Sequence, residues 1–182
     1  MLPADAGEIL LPLARSAIAL ALHQDAPAAG EARWLDDPGA SFVTLTIGGR
    51  LRGCIGSLEA YRALGEDVAS NARAAAFHDP RFAPVSASEY PDIDIEVSVL
   101  SPPEPMPVTS RADALAQLRP GADGLIVSEG RHRATFLPQI WEQLPSPDEF
   151  LRALLRKAGL PPEHWSGHLE LARYTVQKWA EQ

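Results

Sequence analysis

The sequence predicts an α+β fold, and three observations carry that expectation. Helical apolar stripes and short strand-like runs follow one another without a regular strand–helix–strand alternation. Two pairs of strand-like runs are joined by glycine-containing turns, which makes them hairpins. Seventeen prolines break the chain into many short elements.

The elements follow in order. Leu10, Leu13, Ala14, Ala17, Ile18, Ala21 and Leu22 recur at helical spacing, with Asp5 and Glu8 placed to cap the start. Pro12 then requires either a kink or a later beginning. A Pro/Ala/Gly-rich connection spans Ala26–Gly39. Ser41–Ile47 is rich in β-branched and aromatic residues, Gly48-Gly49 suits a tight turn, and Arg50–Ile55 forms the return strand. With a two-residue turn, Ile47 faces Arg50, Leu45 faces Arg52 and Val43 faces Cys54, so Arg52 and Cys54 share one face. Leu64, Val68, Ala72, Ala75 and Ala76 mark a second helix that stops near His78-Asp79-Pro80, because proline disfavours helix at the residue before it.

Ile93, Ile95, Val97 and Val99 form one face of a strand, and Asp94, Glu96 and Ser98 the other. A stiff loop follows over Ser101–Thr109, then a short helix over Arg111–Leu118. Leu125–Val127 and Ala134–Leu137 flank a turn near Glu129-Gly130 as the second hairpin. Pro138 opens a short helix through Ile140, Trp141 and Leu144. Ser146-Pro147-Asp148-Glu149 starts a helix carrying Phe150, Leu151, Leu154 and Leu155, which Gly159 ends. Leu169–Val176 reads as the last strand.

The length suits one domain over residues 1–182, with two lobes meeting near 100–120 as the variant. A formal net charge of −8 argues against non-specific binding to nucleic acid or to anionic membranes. The first residues lack a basic leader and Arg15 interrupts their apolar run, so neither a signal peptide nor a membrane span is expected and the location is read as cytoplasmic. The single cysteine excludes an internal disulfide framework and a multi-cysteine metal site. His164 and His168 have metal-pair spacing, but the prolines and glycine around them argue against a helix, so no metal is expected. Neither a phosphate loop nor a nucleophile elbow is present, and no cofactor is expected.

The segment Leu51-Arg52-Gly53-Cys54-Ile55-Gly56-Ser57 is the first candidate for function. Cys54 is either a nucleophilic or redox thiol, favoured by a nearby cation, or a small packed side chain. Arg52 either recognises an anion or partner, or forms an internal salt bridge with Glu96 or Asp79. Gly53 and Gly56 permit a bulge or the close approach of another backbone or a ligand, with Ser57 beside them. Asp79 and Arg81 stand in a rigid turn or on a cleft rim, while Asn71 is either a structural hydrogen-bonder or a site residue. Glu96, alternating with Asp94, and Gln139, three residues from Glu142, complete the candidate binding set.

Several strings then converge. FVTL followed by LRGCIGS, NARAAAFHDPRFAP, IEVSVLS, TFLPQIWEQLP and FLRALLRKAGLP resembles the AMMECR-type domain family, across roughly Leu10–Gln182. Bacterial and archaeal members of that family are called protein A of the AmmeMemoRadiSam system. The resemblance implies two similar β-rich, helix-covered halves around one continuous, barrel-like, mixed or antiparallel sheet. It also implies partnership with a Memo-type protein and a radical S-adenosylmethionine protein, and it implies no particular reaction. Radical generation would belong to the partner, since this chain lacks the three cysteines that hold an iron–sulfur cluster. Two roles follow as expectations: a substrate-modifying component with a cleft at LRGCIGS, or an adaptor that binds a protein or peptide without chemistry of its own.

Overall fold

The structure, a computed structural model, describes residues 1–181; Gln182, the last residue of the span that carries the resemblance, lies outside them. Helices and two antiparallel sheets make the fold α+β, as the sequence predicts. The described residues divide into two compact units, one of residues 1–101 and 177–181, the other of residues 102–176.

In the first unit, α1 (Gly7–Ala21) and α2 (Leu64–Phe77) cover one face of a four-stranded sheet. Its order is β2 (Arg50–Gly56), β1 (Ala40–Ile47), β3 (Ile93–Leu100), β8 (Val176–Ala180). Helical and strand periodicities meet in its core. Leu10, Ala14 and Ile18 of α1 and Val68, Ala72 and Ala75 of α2 pack on Val43, Leu45, Ile95 and Val97. Pro12 lies inside α1, in its second turn.

The second unit has the sheet order β4 (Glu104–Pro105), β7 (Glu170–Tyr174), β5 (Gly124–Glu129), β6 (His132–Phe136), with α3 (Arg111–Gln117) and α4 (Pro147–Lys157). Phe150, Leu151, Leu154 and Leu155 of α4 are fully buried with Leu125 and Val127 of β5. Trp141 stacks on Phe150 with ring centroids 3.8 Å apart and donates its indole N–H to the Asp123 carbonyl. Ser146 is the N-cap of α4 but makes no side-chain cap bond; the hydroxyl of Ser110 caps α3 instead, accepting from the Asp113 N–H. Gly159, at φ +81°, ends α4 with paired bonds from Gly159 N–H to Arg156 O and from Leu160 N–H to Leu155 O.

Three expectations are corrected. The strands form two four-stranded sheets rather than one continuous sheet. The region read as a single last strand over Leu169–Val176 is two strands, β7 and β8, which join different sheets. The segment Ser101–Thr109, read wholly as loop, contributes β4, which pairs Glu104 with Arg173. In each case the decisive partners lie far away in sequence. For example, Gln177 accepts from the backbone N–H of Leu2, and Trp179 donates to Ala4 O.

Candidate functional site

The LRGCIGS segment is β2 from Leu51 onward and the residue after it, at the edge of the first unit's sheet. Gly48 and Gly49 take φ of +56° and +74°, the positive angles of a two-residue hairpin turn. The register begins as expected, with Ile47 opposite Arg50 and Thr46 opposite Leu51. It then slips: Leu45 faces Gly53, Thr44 faces Cys54 and Val43 faces Ile55, so Arg52 is the extra residue of a bulge. This overturns the expectation that Arg52 and Cys54 share a face with Val43 and Leu45. Cys54 shares the face of Thr44, opposite the core residues Val43 and Leu45.

The glycines account for the slip sterically. A Cβ at Gly53 would stand 2.1 Å from the Ala75 carbonyl oxygen of α2, so only glycine lets the helix backbone come this close. A Cβ at Gly56 would stand 2.2 Å from the Phe42 ring. Both glycines are thus occupied by close packing.

Arg52 forms a two-pronged pair with Glu89, Nε to Oε1 at 3.0 Å and Nη2 to Oε2 at 3.3 Å, so its partner is neither Glu96 nor Asp79. Its Nη1 is buried without a hydrogen-bond partner among the described residues. The Arg52 guanidinium chiefly, with the Ser86 N–H, lowers the Glu89 carboxyl to a pKa of about 2. Phe82 does not enter the core; its ring lies near two guanidiniums, 5.9 Å from that of Arg52 and 5.5 Å from that of Arg81.

Asp79 follows the end of α2, where Pro80 stops the helix. Its buried carboxylate accepts from the Cys54 N–H at 2.9 Å, the Arg81 N–H at 3.0 Å and the Arg81 guanidinium at 2.7 Å. The Arg81 guanidinium also donates to Cys54 O at 3.4 Å. The DPRF turn therefore closes both outward-facing backbone groups of Cys54, where an edge strand would otherwise offer them to another strand. These bonds, led by those from Arg81, hold the Asp79 carboxyl well below the usual carboxylate range.

The Cys54 sulfur accepts a hydrogen bond from the Thr44 hydroxyl at 3.2 Å. Thr44 in turn lies opposite Glu96, and Glu96 pairs with Lys178 at 3.6 Å. Cys54, Thr44, Glu96 and Lys178 thus make one row across four strands, with Cys54 and Glu96 two strand spacings apart, about 10 Å.

Ser57 and Asn71 belong to a different cluster. Asp67, fully buried, accepts from the Ser41 N–H and hydroxyl, the Ser57 hydroxyl, the Arg62 guanidinium and the Asn71 amide. Asn71 also donates to Ser41 O at 3.0 Å. This network ties the end of β2 to α2 and to β1, and its hydrogen bonds are internal. Gln139 lies in the second unit, exposed on a short 3-10 turn over Pro138–Glu142. His164 does not sit on a helix, and its ring pairs with Glu129.

Sequence reading missed Thr44, Asp67 and Glu89. Asp67 had a usable signal, because it stands four residues before Asn71 and beside Val68 on the buried stripe of α2. Glu89 had none, being 37 residues from Arg52 in an irregular segment.

The sequence profile of the AMMECR1 family matches residues 11–179. The chain belongs to the AMMECR1 family. A relative from Methanothermobacter thermautotrophicus is 48% identical over 127 residues, 67% of this chain and 64% of its own length. One from Saccharolobus islandicus is 43% identical over 72% of this chain and 60% of its own length, so the chain spans less than two thirds of these relatives. A Thermotoga maritima relative is 42% identical over 76% of both chains. The crystal structure of PH0010, an uncharacterized protein from Pyrococcus horikoshii, superposes with a TM-score of 0.81 at 32% identity, covering 100% of this chain and 94% of that one. AMMECR1 membership carries no named reaction, so the geometry bears the functional argument.

Proposed function

We propose that this AMMECR1 chain is a cytoplasmic recognition component of the AmmeMemoRadiSam system, working with a Memo-type protein and a radical S-adenosylmethionine protein. The LRGCIGS strand is the centre of its ligand or partner surface. One observation carries the reading: Asp79 and Arg81 close the edge of β2 at Cys54 and hold that residue's backbone. The edge is thereby blocked against strand pairing, while the row of Cys54, Thr44, Glu96 and Lys178 is preorganised on one face. The thiol's hydrogen-bond partner is a hydroxyl, and nucleophilic catalysis calls for a base.

Pull-down with the two partner proteins tests this reading. Cys54→Ser is expected to recover both partners at wild-type levels with unchanged system activity, while Glu96→Lys, which places two cations side by side, loses recovery. Unchanged recovery by Glu96→Lys would sink it.

A substrate-modifying role for Cys54 is the second reading. Its support is that the Arg81 guanidinium reaches the Cys54 backbone carbonyl at 3.4 Å, which brings a cation close to the thiol-bearing residue. Ready labelling of native protein by iodoacetamide, with turnover lost and binding kept in Cys54→Ser, would favour it over recognition.

A further inference from the structure

The start of α1 and the end of β8 enclose a groove of about 510 Å³, within the size range of ligand sites. Leu11, Pro12, Pro27 and Trp179 give it apolar walls. Trp179 is pinned in two ways. Its indole N–H donates to Ala4 O at 3.0 Å, and its Cδ1 lies so near Gly7 that a Cβ there would stand 2.7 Å away. The ring is therefore a fixed platform, ordered before any ligand arrives.

Four charged residues line the same groove. Arg15 and Glu181 neutralise each other through a two-pronged pair. Asp5 and Glu8 also line it, and neither has an ion-pair partner among the described residues. Two carboxylates without an ion-pair partner among the described residues, beside an immobilised indole, are complementary to a long cationic side chain. Its methylenes cover the apolar walls while its charge meets the carboxylates and the ring face.

We propose that this groove receives a basic segment of a partner protein, which enters by one lysine or arginine side chain. The inference goes beyond the recognition role proposed above and does not rest on Cys54.

The probe is the peptide acetyl-Lys-Gly-Lys-amide, titrated into the intact chain at low salt and followed by the NMR resonance of the Trp179 indole N–H. That resonance is expected to move with the lysine peptide and to stay still with its norleucine counterpart. Asp5→Asn combined with Glu8→Gln should weaken the interaction by about tenfold, since each surface carboxylate contributes modestly. Circular dichroism checks that this variant is folded. Equal response to the norleucine peptide would overturn the proposal. So would unchanged affinity in the double variant, or shifts spread over the acidic surface with the Trp179 resonance unmoved. Those results are independent of the pull-down with Cys54→Ser and Glu96→Lys, so failure here is separable from failure of the recognition role.

Discussion

The first hairpin slips by one residue at Arg52, whereas the second keeps an unbroken register from Leu125–Phe136 to Glu129–His132. Both turn through glycine at positive φ, at Gly48-Gly49 in one and Gly130 in the other. They differ in what presses on the return strand. In the first, the backbone of α2 comes to the Cα of Gly53, and the strand accommodates an extra residue there. In the second, β6 carries no glycine and alternates regularly, with Ala134 turned into the core. The LRGCIGS segment is therefore distinguished first by crowding. Its glycines admit a helix, its bulge leaves Arg52 without a facing residue on β1, and the DPRF turn supplies the hydrogen bonds that a neighbouring strand would have made.

The sharpest way to break this contrast is to put side chains at the two kinds of glycine. Gly53→Val forces atoms against the Ala75 carbonyl and is expected to destabilise by about 3 kcal/mol or more, read from the urea midpoint. Gly130→Ala has open space around its Cβ and meets only the positive-φ penalty, about 1 kcal/mol. Equal losses would remove crowding as the distinction between the hairpins.

Acid titration is the next test. Asp79 and Glu89 both have depressed carboxyl pKa values in the folded chain, the latter about 2. Their contribution to stability is complete above the ordinary carboxylate range, near about 4, and declines as pH falls, through about 2 for Glu89 and lower still for Asp79. Asp79→Asn combined with Glu89→Gln should lower the urea midpoint at neutral pH and flatten its decline between those limits. A decline as steep as wild type would place the acid-sensitive groups elsewhere.

Arg52→Lys keeps the charge but loses the two-pronged fit to the half-exposed Glu89, for an expected loss of about 0.5–1 kcal/mol by urea melt. Cys54→Ser is expected to have the smallest effect, within about 0.5 kcal/mol, because the position is only part-buried and its sulfur bonds a hydroxyl. A loss several times larger would recast Cys54 as a packing residue.

Much of the fold was legible because periodicity is local. The stripes on α1, α2 and α4, the alternation of β3 and the Gly48-Gly49 turn were all readable within short windows. The candidate site was readable only as a neighbourhood. Gly53 correctly signalled a bulge or a close backbone approach, but its actual neighbour, Ala75, belongs to a helix 22 residues on. Placing Cys54 opposite Val43 followed from assuming unbroken alternation, and one extra residue reversed it. Ser57 and Asn71 stood out as polar groups near apolar ones, yet their common partner, the buried Asp67, emerged only when α2 was laid on β1 and β2.

The residues themselves dictate the α+β class, the hairpins and the special standing of LRGCIGS, because hydrophobic period and turn chemistry act over a few positions. Which face Cys54 occupies, which carboxylate holds Arg52 and which strands share a sheet were decided by packing. Each depends on groups brought together from tens of residues away, and a chain in one dimension does not encode those distances in any single window.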